Sequence, residues 1–450
     1  MKKILKLLLC VGIAFHFPLT AFHPLQAQSG SNAPFSQYGL GLGSQPCNMP
    51  MTARLGGVAY TRSGNNFVNP FNPASYATVE MQSFVFDMAF GVYTAAISDA
   101  SNRVGDAGGE LAYITFAMPI TKWWKIGGGI MPFSSTDYES VGTFSDPTSG
   151  NVLTRYDGYG GVSEAFIGSA FNIVKPTGRG FSLQAGFNVE LLTGAIQRTI
   201  SYEPLGSDTS YFLSSRKLKN TRVRNVVFDA GVQARMPLGE KYTLAAGVVF
   251  KPGMKLSVDE DAIIYTFFRS AGGLSDTVFP QRGESNSFTS RVETPSTLGV
   301  GLSLERDNKW MLAADVTLAP WSGVKYTEGS PIDIFGQSAI RYGSYGRYAM
   351  AFELTGDRDA TSYARRISWS AGVHYETAKM RLAVGGAEAV LDEWGCGIGA
   401  TLPMRKGRSL LTLSAAYSHF GAANPLLQET LTFGIAVSSC ESWFVKRKYN

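Results

Sequence analysis

Charge, cysteine and histidine are all scarce in this chain of 450 residues. Charged residues make up 17% of it, against about 25% in ordinary soluble domains, so a large ionic surface facing water is excluded. Four cysteines and four histidines are too few for a disulfide framework or a Cys/His metal cluster. No apolar run reaches the roughly 20 residues that a membrane-spanning helix requires, which excludes a helical membrane protein. The positive excess is small as well. Net charge is +5, and Lys2, Lys3 and Lys6 supply three of those charges from a segment expected to be removed, so neither nucleic acid nor any other polyanion is implied as a partner. What the chain does have is 44% hydrophobic residues and 50 glycines. So much apolar material argues against disorder, and it needs a place that is neither a soluble surface nor a long helix.

The N-terminus reads as an address. Met1 to Lys6 is basic, Leu7 to Phe17 is apolar, and Leu25-Gln26-Ala27 is a small-residue cleavage site, the pattern of a secretory signal peptide over 1–27. Cleavage removes Cys10 and leaves Cys47, Cys396 and Cys440. An odd number leaves at least one thiol unpaired, and a Cys396–Cys440 bridge is compatible with the spacing.

From about Ser83 onward the chain alternates. Phe181, Leu183, Ala185, Phe187, Val189 and Leu191 share one face, while Ser182, Gln184, Gly186, Asn188 and Glu190 share the other. The run 228–236 sets Phe228, Val232 and Met236 against Asp229, Gly231 and Arg235, and 242–250 continues the pattern after a turn at Gly239-Glu240. A hairpin places Leu298, Val300, Leu302 and Leu304 opposite Leu312, Ala314, Val316 and Leu318. Further runs lie at 347–354, 366–376, 410–417 and 431–438. Each spans about 9–11 residues, the length at which a tilted strand crosses a bilayer.

A soluble β-sandwich and a transmembrane β-barrel both give such alternation. The barrel is favoured because the polar face is small, rich in Gly, Ser, Thr and Ala, with isolated charges at Glu190, Asp229, Arg235, Asp315 and Glu353. That composition suits a lumen. Trp123, Trp124, Trp310, Trp321, Trp369, Trp394, Trp443 and Phe444 gather near strand ends, where aromatic rings settle at headgroup depth. The expected fold is all-β: a closed antiparallel transmembrane barrel of about 14 strands over 83–450, ending on a strand that pairs with the first.

Motifs of catalysis or cofactor binding are not legible. Gly39-Leu40-Gly41-Leu42-Gly43 and Gly395-Cys396-Gly397-Ile398-Gly399 do not stand between a strand and a helix, as a dinucleotide fingerprint requires. Only His374 and His419 outlast the signal peptide, so no metal site, no cofactor and no enzyme are expected; a nucleophile elbow is also missing. His374 falls on the polar face with Arg366 and Glu376 and is expected in a hydrogen-bonded network of the lumen.

Residues 28–82 read differently, as irregular chain rich in Gly, Pro and Asn. Ala53-Arg54-Leu55-Gly56-Gly57-Val58-Ala59-Tyr60 is followed by Asn69-Pro70-Phe71-Asn72-Pro73-Ala74-Ser75-Tyr76. Proline fixes φ and removes a donor, while Asn satisfies local backbone groups, so the repeated Asn-Pro specifies a compact, non-regular plug. Phe67, Phe71 and Tyr76 are candidates for apolar wall.

This segment resembles the N-terminal hatch of the FadL/TodX family of outer-membrane transport proteins. Thr294-Pro295-Ser296-Thr297-Leu298-Gly299-Val300-Gly301-Leu302, Trp310 to Asp315 and Pro320-Trp321 resemble that family too, and the tail Trp443 to Tyr449 is similar to its Bacteroidetes-type members. The resemblance implies a fourteen-stranded monomer in the outer membrane, its N-terminal segment folded into the lumen, with Asn72, Pro73 and Ala74 carried over. It implies passive uptake of hydrophobic molecules such as long-chain fatty acids or aromatic hydrocarbons, with lipid and those molecules as partners. The alternative it offers is a non-conducting accessory or plug barrel of the type IX secretion translocon, like the PorV group, with 133–160, 203–225 and 268–292 as long docking segments.

Overall fold

The computed structural model describes residues 33–43, 46–99, 102–147, 150–175, 180–205, 213–267, 279–280, 286–307, 309–327, 341–357, 360–384, 387–404, 408–422 and 426–442. The expected signal peptide, Trp443, Phe444 and the basic tail lie outside them.

Sixteen principal strands follow one another: β1 (Ser83–Ser98), β2 (Arg103–Pro119), β3 (Trp124–Asp146), β4 (Gly150–Val174), β5 (Ser182–Leu205), β6 (Ser214–Leu238), β7 (Tyr242–Lys251), β8 (Met254–Phe267), β9 (Asn286–Thr294), β10 (Thr297–Arg306), β11 (Trp310–Pro320), β12 (Ser344–Leu354), β13 (Ser368–Glu376), β14 (Glu393–Met404), β15 (Ser409–Ala422) and β16 (Leu426–Ser442). Fourteen of them form an antiparallel ring. β1 to β7 pair in turn, β7 pairs with β10, and β10 to β16 pair in turn. β16 closes the ring on β1, from Ser83↔Ser442 to Ser98↔Leu427. Every strand of the ring then has a neighbour on both sides, the condition for a sheet to span a bilayer. β8 and β9 form a hairpin that leaves the ring and pairs with the upper half of β6.

The alternation sets inside and outside as expected. Phe187, Phe228, Val248, Leu302, Phe352, Ile398 and Phe433 are all exposed on the outer surface, whereas Gln184, Asn188, Glu190, Gln233, Asp315 and Thr412 are buried within. The hairpin register Leu298↔Leu318, Val300↔Val316, Leu302↔Ala314 and Leu304↔Leu312 is also as read.

Strand length differs from expectation. β3 to β6 run to 23–25 residues, not 9–11, so 133–160 is a strand hairpin and 214–225 is strand, not docking loop. Of 268–292, residues 286–292 belong to β9 and most of the rest lies outside the described residues. Alternation marks only the stretch that meets lipid. Residues 139–145 are exposed on both faces, and there period 2 carries no apolar signal. Arg366, placed on a strand face with His374, sits instead in the turn Tyr363–Arg366 before β13.

The Cys396–Cys440 bridge that the spacing allows is not formed. Cys47, Cys396 and Cys440 are separate thiols, buried, exposed and half-buried respectively. Denatured protein is therefore expected to show the same monomer mobility on gels with and without reductant; a mobility shift on reduction would contradict this.

One seam in the wall is short. β2 pairs with β3 only from Ile114↔Ile130 to Pro119↔Lys125, while β2 stays paired with β1 up to Ser98↔Arg103. Above Ile130 the register of β3 shifts at Pro132/Ser134. There Leu42 and Gly43 take up Ser135 and Ser134 on the edge that β2 has left.

Candidate functional site

Residues 46–79 cross the space enclosed by the ring, and the inward-facing positions of the strands make room for them. A Cβ added to Gly434, Gly397, Gly372, Gly247 or Gly186 would collide with Pro50, Ala53, Leu55, Tyr60 or Pro73 respectively. Those glycines lie on β16, β14, β13, β7 and β5, which is most of the way around the barrel. A chain touching opposite walls of a closed ring lies inside it. At these five positions glycine lets the segment lie directly against the wall.

The doubled Asn-Pro braces this segment. The Asn69 side chain donates to the carbonyls of Ala59 (2.7 Å) and Arg62 (2.8 Å) and accepts from the amide of Phe71 (3.1 Å). Asn72 donates to Tyr60 O at 2.7 Å and accepts from Ala74 N at 3.1 Å, capping the short turn Pro73–Thr78. Pro70 and Pro73 hold φ while the two amides tie 69–74 to 59–62. Both asparagines are buried, so each amide replaces hydrogen bonds that water would otherwise make.

Charged groups then fix the segment to the wall. Asp315 accepts from the amides of Ala59 (2.6 Å) and Tyr60 (2.9 Å), and Asp87 accepts from Val68 N. Arg54 donates to Glu353 at 2.7 Å and Ser370 at 2.9 Å, with Arg62 3.5 Å from the same carboxylate. Arg347 donates to Gly57 O at 2.9 Å. Burial lowers the Arg54 guanidinium from its ordinary pKa, against the pull of Glu353. Tyr76, buried against Gly127 and Gly168, donates to Asn188 at 3.2 Å; burial, and then the charge of Asp229, push its phenol well above the usual value.

Glu190, Asp229, Arg235, Asp315 and His374, expected in the lumen, are all inside, though not in one cluster. Glu190 and Asp229 join Glu164, Asn188 and Lys251. Lys251 contacts Glu190 and lies 3.3 Å from Glu164, and Asn188 donates to Asp229 at 3.2 Å. Arg235 pairs with Glu305 at 3.1 Å. Asp315 holds the segment as described. His374 stands apart beside Cys47, and neither of its ring nitrogens has a hydrogen-bond partner, contrary to the expected network. Sequence reasoning passed over Lys251, Glu164, Arg347 and Asp87. Their one signal was parity, a charge on the inward register of a strand.

Above the segment is a cavity of about 530 Å³, within the range of small-molecule sites. Phe71, Pro70 and Tyr60 contribute from the segment, and Leu192, Val227, Leu256 and Val292 from the strands. Phe71 and Phe67 pack on Met49, Met51, Ala89 and Tyr113. Phe67 and Tyr76 do not line the cavity; they support it from below. Seven carboxylates and three lysines also face it, and its wall includes Met131, Pro132, Phe133, Ser134 and Ser135, the stretch of β3 that β2 leaves unpaired.

Similarity to known proteins agrees with this architecture. The chain is similar to the toluene transporter TodX of Pseudomonas putida, with 16% identity over 90% of this chain and 98% of that one and a TM-score of 0.54. It is similar to a Pseudomonas aeruginosa FadL homologue (14% identity, 86% and 98% covered, TM-score 0.52). The Ralstonia pickettii toluene transporter TbuX gives 13% identity, 87% and 97% covered, and a TM-score of 0.51. At such identities the likeness is one of fold. No curated protein matches the chain. A closed sheet with an apolar outer belt makes this a multi-pass outer-membrane β-barrel, and since residues 5–450 match the BamG family, the chain belongs to that family.

Proposed function

We propose that this barrel passes hydrophobic compounds through its wall, and that residues 33–43 and 46–82, the described part of the hatch expected over 28–82, close the axial path. The single observation that carries this reading is the cavity reaching the stretch of β3 that β2 has left, where Leu42 and Gly43 pair with Ser135 and Ser134 in its place. The ends of the barrel with tight turns, such as 239–241 and 307–309, are the periplasmic ones by the usual asymmetry of such barrels. The cavity then lies on the outer side, and the seam opens from it towards lipid at the level of Phe90 and Ile130, both exposed on the outer surface. Each CH₂ moved from water to an apolar site contributes about 0.8 kcal/mol, so an alkyl or aromatic compound binds without charge pairing.

The charge of the wall narrows the cargo. Carboxylates outnumber lysines seven to three, and Lys251 is already held by Glu164 and Glu190. A fatty-acid anion would meet excess negative charge. An uncharged hydrocarbon, or a long-chain acid entering protonated, would not. TodX and TbuX, similar in fold, are toluene transporters. The accessory-barrel alternative gains no support from them.

Deleting residues 65–76 tests the hatch. In reconstituted vesicles the deletion is expected to raise permeation of toluene and of a long-chain fatty acid several-fold, with the barrel still heat-modifiable on gels. Unchanged permeation through a folded barrel would sink the proposal.

A further inference from the structure

On the far side of the lumen from the Lys251 cluster, the segment brings a soft ligand to a histidine and two carboxylates. Cys47 is buried in the turn Pro46–Asn48, His374 lies near the upper end of β13, and Glu393 at the start of β14. Their sulfur, nitrogen and oxygen ligand atoms all lie within 4.8 Å of one another. His374 Nε2 is 3.8 Å from Glu393 Oε1, and the Cys47 thiol is 3.8 Å from Glu376 Oε1, too far for the first to be a hydrogen bond. The imidazole is 4% exposed with both nitrogens unpartnered. A buried polar group without a partner is destabilising, so an imidazole aimed at a thiol and a carboxylate calls for an occupant. Gly395 permits this placement, since a Cβ there would lie 2.5 Å from His374 Cε1.

We propose that Cys47, His374 and Glu393 bind a divalent cation of the zinc class, with Glu376 as the neighbouring carboxylate, and that the ion fastens the N-terminal segment to β13 and β14. Thiolate, imidazole and carboxylate are the ligands of zinc, while calcium and magnesium take oxygen alone. Bonds of about 2.0–2.3 Å require the three atoms to draw in by about 1 Å, within the reach of side-chain torsions. Glu376 and Glu393 line the cavity and give the ion a way in. With the thiol and both carboxylates ionised, their three negative charges exceed the two positive charges of Arg347 and Lys379 beside Cys47, so the empty cluster attracts a cation. Tyr345 donates to the other oxygen of Glu376 at 2.9 Å and orients it, as outer-shell partners of metal sites do.

Cobalt(II) chloride added to the full-length protein in detergent reads the site through its thiolate charge-transfer absorption, and competition with zinc chloride gives the affinity. One equivalent is expected, with the band lost in Cys47→Ser and affinity at least tenfold weaker in His374→Gln and Glu393→Gln. His419→Ala, which alters the other histidine, is expected to bind as wild type. Each variant is scored only as the heat-modifiable barrel. Absence of stoichiometric binding in the wild type, or a Cys47→Ser protein that keeps the full band, overturns the proposal.

Discussion

Glu353→Ala is expected to release the N-terminal segment from the lumen, and to do so more completely than Arg54→Ala. Arg54 is 2% exposed and its guanidinium is bonded to the Glu353 carboxylate and the Ser370 hydroxyl. Without Glu353 a buried cation keeps one neutral acceptor, and breaking a buried pair from one side costs about 3–5 kcal/mol. Arg54→Ala is milder because Glu353 keeps Arg62 at 3.5 Å. The double variant is expected to lose less than the two singles together, since it leaves no buried charge behind. The strands retain their own ladders in every case, so the loss falls on the segment. Planar-bilayer conductance is expected to rise in the order wild type, Arg54→Ala, Glu353→Ala, alongside trypsin cleavage at Arg54 or Arg62 in a barrel that stays heat-modifiable. Glu353→Ala channels as closed and as protease-resistant as wild type would refute the anchoring role.

The barrel was legible because its physics is local. Lipid outside and a filled lumen inside impose period 2 on each strand, and Leu298 to Leu304 against Leu312 to Leu318 could be registered from that alone. The same rule explains what escaped notice. Beyond the apolar belt, β3 to β6 have water outside, so 139–145 read as loop. The partners of the segment were illegible for a different reason. Cys47 and Glu376 lie 329 residues apart and Arg54 and Glu353 lie 299 apart; parity says that each strand residue faces inward but not which part of the segment it meets. Asn69 and Asn72 were readable because all but one of their hydrogen bonds, that of Asn72 to Val232 O, close over at most twelve residues. The short seam also went unread, although Pro132, which donates nothing to a ladder and belongs at edges or bulges, stands where the register of β3 shifts.

Two adjacent residues on β14 should fail in opposite ways. Ile398 is 61% exposed on the outer surface near the middle of a twelve-residue strand, and Ile398→Arg puts a charge into hydrocarbon. Such substitutions at the bilayer midplane cost about 2–4 kcal/mol, so a matching loss of unfolding free energy in urea from lipid vesicles is expected, with the segment still in place and the channel still closed. Gly397 faces inward, and a Cβ there would strike the carbonyl oxygen of Ala53. Gly397→Val suits the strand itself, because β-branched residues favour extended backbone and glycine weakens it. Its steric cost therefore falls on the segment, with barrel stability within about 1 kcal/mol of wild type and conductance and protease cleavage both raised. Ile398→Leu, keeping the apolar surface, is expected to match wild type in both assays. If Gly397→Val destabilised the barrel in lipid while Ile398→Arg opened it, the assignment of inside and outside on β14 would be reversed. A segment unmoved by Gly397→Val would mean that Ala53 does not rest on the wall there, and that the glycine at 397 serves some purpose other than close backbone approach.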